Sequence, residues 1–279
     1  MEKNIAFEKC IFGDIIDDRV YEICDIDFWI DRIVSFPSFR PFKLDLVVDI
    51  CSNLVKNDDF RQKLLSQAQK CPVLIHRLYK KGVYMFAEIE KCITIGHPLL
   101  LCYYFRKEIK DFNKLVMLYK NFGEMILVEE SKIELLIEYG FYPSTLEYCL
   151  KYDDINVFRD INISDHIDAQ WSPFEWSRKP DSLDYLSFSG YFGSIMCFKY
   201  LLMNGFDISD EIKSLVVCNG SFDLYHLCNE KNRVNWESIF YATEFVQVSM
   251  IAFLIENGAD INSRNKSFSI YCLVIHLLI

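Results

Sequence analysis

DYLSFSGYFGSIMCFKYLLMNGFDIS, residues 184–209, reads as a helix hairpin. Ile195, Phe198, Leu201 and Leu202 recur at the three-and-four spacing of a buried helix face, Gly193 separates two helical patterns, and Gly205 closes the second. The stretch from Lys199 to Ser209 (KYLLMNGFDIS) has two echoes, ELLIEYGFYPS (Glu134 to Ser144) and AFLIENGADIN (Ala252 to Asn262), which align on Gly140, Gly205 and Gly258. A unit that returns in this way predicts stacked helix pairs, each covering the apolar face of its neighbour.

The rest of the chain supports an all-α fold. Its 279 residues are 51% hydrophobic and 15% aromatic, which excludes disorder. From Asp14 to about Lys120 amphipathic segments follow one another: Lys43–Lys56, Asp58–Lys70 and Pro72–Gly82. Leu44, Val47, Val48, Cys51, Leu54 and Val55 form one broad stripe that a neighbouring helix must cover. Breaks are expected at Pro37–Pro41, Cys71-Pro72, Gly82 and Gly96-His97-Pro98. The apolar run Leu99–Phe105 takes its helical reading from its surroundings, and no alternating strand pattern of useful length occurs.

Helix starts are expected where a hydroxyl precedes a carboxylate by three residues: Ser131 with Glu134, Ser144 with Glu147, and Ser172 with Pro173 and Glu175. Helix ends are expected at Gly140, Gly205 and Gly258, where a left-handed residue without Cβ stops the helix. Asn232 lies 26 residues before Gly258, so a degenerate unit, Ile212 to Asn232, fits between the two clear ones.

Leu254, Ile255, Gly258, Ala259, Asp260, Ile261 and Asn262 resemble the end of an ankyrin repeat, as do Leu201, Leu202, Gly205 and Asp207 with Phe206 and Ser209 substituted. Together with YCLKYDDI (Tyr148–Ile155), Trp171–Ser194 and Cys197–Leu202, they resemble a divergent ankyrin-repeat family expanded in single-celled parasites, whose N-terminal helical region is a domain of unknown function. The chain departs from the common repeat in its 26 to 27-residue spacing, in the absence of the Thr-Pro-Leu-His opening, and in Val246, which stands where Gly193 stands in the earlier unit. The resemblance implies an α-solenoid of antiparallel helix pairs over residues 131–279, after an irregular helical region over 1–130. Its units would fall near 131–180, 181–209, 210–234 and 235–262, with a partial unit at 263–279. The apolar Phe268–Ile279 must pack back, meet a partner, or mark a truncated chain.

Charge and composition limit function. The balance of 30 Lys and Arg against 40 Asp and Glu repels phosphate backbones, so no nucleic-acid partner is expected, and the basic run His76, Arg77, Lys80 and Lys81 reads as a solvated face. The 11 scattered cysteines read as reduced core residues, which points to a cytoplasmic or nuclear compartment. No signal peptide or membrane span is read, and the sequons at Asn162, Asn219 and Asn265 are chance matches. No cofactor or metal is expected, because no phosphate loop, HExxH, GxSxG, kinase signature or CxxC occurs. Asp153 and Asp154 read as caps, and Cys228 as a core thiol that cannot share a proton with His226 two residues away.

The expected function is therefore non-catalytic: a scaffold that holds a protein partner, favoured to be basic, on the concave face of the stack. Phe188, Tyr191, Glu244 and Phe245 are the expected contact residues. The aromatic group Trp171, Phe174, Trp176 and Phe188 has a second reading, as filling between the N-terminal helices and the repeats, and Tyr191 and Phe192 share it. Two alternatives stand beside the scaffold: a capping fragment of a longer repeat protein, and an enzyme with its site in the N-terminal half.

Overall fold

A computed structural model describes residues 26–39, 41–93, 99–112, 130–161, 169–177, 183–229, 236–245 and 247–259. Among these the chain is helical, with no β-strand. It divides into two compact units, residues 1–142 with 172–178 and residues 143–171 with 179–279. The breaks expected at Gly96–Pro98, the glycine-like position Val246, the cap Asn232 and the apolar Phe268–Ile279 lie outside the described residues.

The first unit contains α1 (Ile26–Phe39), a 3-10 turn (Pro41–Lys43), α2 (Leu44–Leu54), α3 (Asp58–Ser66), α4 (Pro72–Lys80), α5 (Phe86–Ile93), α6 (Leu99–Tyr104) and α7 (Glu130–Tyr139). The α2 stripe is buried at all six expected positions, Leu44 through Val55. At about 1.5–3 kcal/mol per buried aliphatic side chain, this face holds the helix in place. α2 packs on α4 and α4 on α6, while α1 packs on α3 and α3 on α5, so odd and even helices form two rows. The apolar run at Leu99 is helical as expected. α1 does not stop at Pro37 but carries it in its last turn and ends at Phe39.

Side chains fix the connections. Asn57 caps α3 by accepting from the amides of Asp59 and Phe60. Glu88 accepts from the Met85 amide at 2.8 Å and is gripped by Arg61 at 2.8 Å, which ties α3 to the start of α5. α4 begins at Pro72, as the Cys71-Pro72 break predicts, and Gly82 follows its end at φ 73°. There the Gly82 amide donates to Tyr79 O at 2.8 Å and the Val83 amide to Leu78 O at 3.0 Å, a left-handed closure that keeps these two carbonyls bonded.

The basic run at residues 76–81 is not one solvated face. His76 is buried against Tyr104 and Phe105, with ring centroids 5.3 and 5.5 Å away. Arg77 pairs with Glu138 at 3.0 Å, and Lys81 pairs with Asp49. The spacing places these residues on one helix, but α6 and α7 bury part of that helix's polar side. α7 accordingly belongs to the first unit: Ile133 and Ile137 join its core, and Arg106 and Lys107 pair with Glu134.

The second unit contains α8 (Leu146–Tyr152), α9 (Ile155–Phe158), α10 (Tyr185–Phe192), α11 (Ile195–Met203), α12 (Asp210–Leu215), α13 (Phe222–Cys228), α14 (Trp236–Glu244) and α15 (Val248–Glu256). The first helices pack in the order α8, α10, α12, α14, and each packs on its own following helix. In the other row, Phe158 meets Tyr200 at 5.8 Å between α9 and α11, and Tyr225 meets Phe253 at 5.6 Å between α13 and α15.

The hairpin α10–α11 has a counterpart in α14–α15, with matching hydrogen bonds at its turn and at its end. The Ser194 amide donates to Ser189 O at 2.9 Å and the Gln247 amide to Ala242 O at 2.8 Å. At the far end, the Phe206 amide donates to Leu201 O at 3.2 Å and the Ala259 amide to Leu254 O at 2.9 Å, around Gly205 at φ 90° and Gly258 at φ 91°. Asn204 and Asn257 each turn their side-chain amide back to the carbonyl four residues earlier, at 2.7 and 2.8 Å. Between these hairpins α12–α13 hinges on Gly220 at φ 78°, one repeat interval beyond Gly193 at φ 83°.

All three expected hydroxyl caps are displaced. Ser131 lies inside α7, which begins at Glu130. Ser144 takes φ 75° and leaves the cap of α8 to Thr145, whose hydroxyl accepts from the Tyr148 amide at 3.3 Å. Ser172 accepts from the Phe174 amide in a turn that does not become a helix. In each case the spacing fits several neighbouring registers, and packing selects the register.

The left-handed turns differ in the space around them. A methyl group at Gly205 or Gly258 meets open space, so Gly205→Ala and Gly258→Ala should each cost only the left-handed backbone penalty, about 1–2 kcal/mol. At Gly193 a Cβ comes within 2.9 Å of Asn219, so Gly193→Ala should cost more than either, as read by urea unfolding; equal costs would contradict the packing. Burial, with Lys80 and Arg77 adding to it, lowers the His76 imidazole from 6.5 to about 4. The unfolded chain then binds the extra proton first, so stability falls as pH drops from 6.5 toward 4, by up to about 3 kcal/mol. His76→Phe should remove that share of the acid dependence between pH 7 and pH 4, and an unchanged acid slope would contradict it.

Candidate functional site

Three of the four expected contact residues lie in the interior. Phe188, Tyr191 and Phe245 are 0%, 4% and 3% exposed, and Glu244, the last residue of α14, is half-buried. The expectation of a surface formed by these aromatic rings is therefore corrected. The reason is in α10 itself: YLSFSGYF is apolar or small all round, and all eight residues are buried because α8, α11 and α12 cover the helix together. Trp171 packs on Phe188 at 5.1 Å, Phe188 on Phe192 at 4.8 Å, and Tyr191 on Phe245 at 5.5 Å, giving one aromatic core from the start of the unit to the end of α14.

The dense aromatic stretch of the sequence is split between the units. Phe174 sits in the first unit, 6.0 Å from both Tyr103 and Tyr104, and Trp176 there donates its indole N–H to Pro41 O at 3.3 Å. Trp171 and Phe188 belong to the second. Proximity in sequence does not make one patch.

What joins the helix pairs of the second unit is a set of polar side chains at the turns. Ser194 Oγ donates to Leu150 O at the end of α8. Asn219 Nδ2 donates to Gly190 O, in the last turn of α10, at 2.6 Å, and Gln247 Nε2 donates to Cys218 O beyond α12. Each donor adds a bond to a carbonyl at or just beyond a helix end, where intrahelical donors run out; Gly190 O also accepts from the Gly193 amide at 3.3 Å. Gly193 and Gly220 make room, since a Cβ on them would press on Asn219 and Gln247 respectively. At the first step the left-handed residue is Asp153, at φ 56°, and its carboxylate accepts from the amides of Met196 and Cys197 at 3.1 and 2.8 Å, capping α11 of the next pair. Asp154 caps α9 through the Val157 amide at 3.3 Å, so both acids serve as caps. Sequence reasoning did not reach this ladder, although Gly220, one repeat interval beyond Gly193, was a usable signal.

Thiol chemistry finds no support in these surroundings. Burial pushes the Cys228 thiol up to about 12 and the Cys149 thiol up to about 11, so neither is a nucleophile at neutral pH. His226 is exposed while Cys228 is buried, which separates the pair as the helical spacing predicts. Among the described residues no group of three or more His, Cys, Asp or Glu is placed to hold a metal ion, and no helix is long and apolar enough to cross a membrane.

The accessible polar edge is acidic. Asp207, Asp210 and Glu211 are exposed just before and at the start of α12, and Glu237 near the start of α14 accepts from Ser214 Oγ at 3.2 Å. The second unit carries 17 of the 40 acids but 9 of the 30 bases, so about 8 of the 10 net negative charges fall on it. If Phe188 and Phe245 are core groups, Phe188→Ala and Phe245→Ala should each destabilise the chain by about 3–5 kcal/mol in urea unfolding. A loss below about 1 kcal/mol would return them to the surface. No protein family, curated protein or solved structure matches the chain.

Proposed function

We propose that the second unit is a short α-solenoid of divergent ankyrin-like helix pairs, and that the protein is a non-catalytic scaffold binding a basic protein segment. The observation that carries this reading is the return of the α10–α11 hairpin as α14–α15, with the same hydrogen bonds at both of its turns. A unit that repeats its geometry and stacks on its neighbour builds an extended, pre-formed face rather than a single closed pocket.

Each first helix is followed by an antiparallel partner, so α10, α12 and α14 run in one direction and their N-terminal ends share an edge. That edge holds Asp184, the cap of α10, with Asp207, Asp210, Glu211 and Glu237, and one base, Lys213, which pairs with Asp210 at 2.7 Å. Positive side chains of a partner are drawn to it, and little ordering cost is incurred because the helices are already fixed by the turn ladder. The contact surface is thus polar and acidic, in place of the aromatic one read from the sequence.

Peptide display on the intact chain tests the proposal. Selected peptides should be rich in Lys and Arg, bind more weakly as salt rises, and lose about fivefold in affinity with Asp210→Lys plus Glu211→Lys. Asp45→Lys in the first unit serves as the control and should have no such effect. Selection of neutral or acidic peptides, or equal loss with both changes, would refute the basic-partner reading.

A further inference from the structure

The second unit holds three Asn-Gly dipeptides, Asn204-Gly205, Asn219-Gly220 and Asn257-Gly258, and each glycine has a left-handed φ. Asn-Gly is the pair most prone to spontaneous deamidation, because glycine has no Cβ to hinder its own nitrogen. We propose that these turns are a graded set of deamidation sites, and that conversion at Asn219 is the event that uncouples α12–α13 from α10.

The chemistry needs only water. The glycine nitrogen gives up its proton to solvent and bonds to the asparagine Cγ; the Cγ–Nδ2 bond breaks and ammonia leaves, which closes a succinimide. Water then opens one of its two carbonyls, giving aspartate, or isoaspartate with an added methylene in the main chain. No electrons are transferred.

The folded turns oppose the first step to different degrees. The nucleophilic nitrogens are engaged: the amide of Gly205 donates to Leu202 O at 3.2 Å, that of Gly220 to Val217 O at 3.0 Å and that of Gly258 to Ile255 O at 3.0 Å. Asn204 and Asn257 also have ψ values of 14°, in the bridge region, which hold the next nitrogen away from the side chain. Both are exposed at the ends of α11 and α15, however, and each side chain has one bond, to Tyr200 O and to Phe253 O. Fraying of one helical turn releases everything that restrains them.

Asn219 is held from two sides. Its amide donates to Gly190 O at 2.6 Å and Val216 O at 3.2 Å, and its carbonyl accepts from the Ser221 amide at 2.8 Å. Freeing it requires the α12–α13 turn to part from α10. Once converted, a carboxylate at position 219 cannot donate to either carbonyl and repels both, so the parting becomes easier to repeat. An isoaspartate would also lengthen the turn that sets the Ser221 cap of α13. Asn219 is therefore a one-way record of opening between helix pairs, while the other two record only fraying.

The test follows the unaltered full-length chain in mildly alkaline buffer, with peptide mass mapping that separates aspartate from isoaspartate. Asn204 and Asn257 should convert at least about tenfold faster than Asn219 in the folded protein, and all three should converge in urea. Separately, Asn219→Asp should lower the urea midpoint more than Asn204→Asp or Asn257→Asp. Conversion of Asn219 as fast as the others in the folded chain, or a midpoint shift no larger than theirs, would overturn the proposal.

Discussion

Carbonyls at the C-terminal end of a helix outrun the N–H donors of that helix, and in the second unit three carbonyls at or just beyond helix ends receive a side-chain donor from the following helix pair. Leu150, Gly190 and Cys218 receive their hydrogen bonds from Ser194, Asn219 and Gln247. Gly193 and Gly220, in left-handed conformation, leave room for two of the donors, since a Cβ on them would press on Asn219 and Gln247. Backbone conformation, side-chain identity and helix spacing thus act on one another at a single recurring place. Burial of α10 on every side follows from that spacing, and so does the aromatic core that runs from Trp171 to Phe245.

The first unit reaches a related solution by other means. Its helices also pack in two rows, and α4 closes at Gly82 with the bonds seen at Gly205 and Gly258. The interval from Cys71, which precedes α4, to Gly82 is the same as that from Ser194 to Gly205 and from Gln247 to Gly258. Its ties between helices, however, include charged pairs, from Arg61 of α3 to Glu88 of α5 and from Arg77 of α4 to Glu138 of α7. The region expected to be irregular therefore shares the helix-closing device of the second unit, and it also has one side-chain amide, that of Gln69, donating to a carbonyl in a last helical turn, Cys92 O, at 2.9 Å.

Much of this was legible in the sequence, and the losses have physical causes. Apolar stripes and left-handed glycines are local properties, so the α2 face and the closures at Gly140, Gly205 and Gly258 read directly. Caps depend on which residue leaves the helix first, which packing decides within one or two positions; Ser144 lost its role to Thr145 for that reason. Exposure of an aromatic residue depends on how many helices converge on it, and no spacing rule supplies that number. Phe188 and Tyr191, which the sequence reads both as contact residues and as filling, and Phe245, read as a contact residue, are all buried, and three neighbours enclose the helix that carries the first two. His76 differs from its reading for the same reason, since the rings that bury it come from Tyr104 of α6 and the adjoining Phe105.

Native-state hydrogen exchange with Gln247→Ala tests the role of the turn ladder most directly. If that side chain holds α14–α15 onto α12, the substitution should lower protection in α14 and α15 by about tenfold while leaving α8 to α11 unchanged. A uniform loss across the second unit, or no loss in the last pair, would contradict the account.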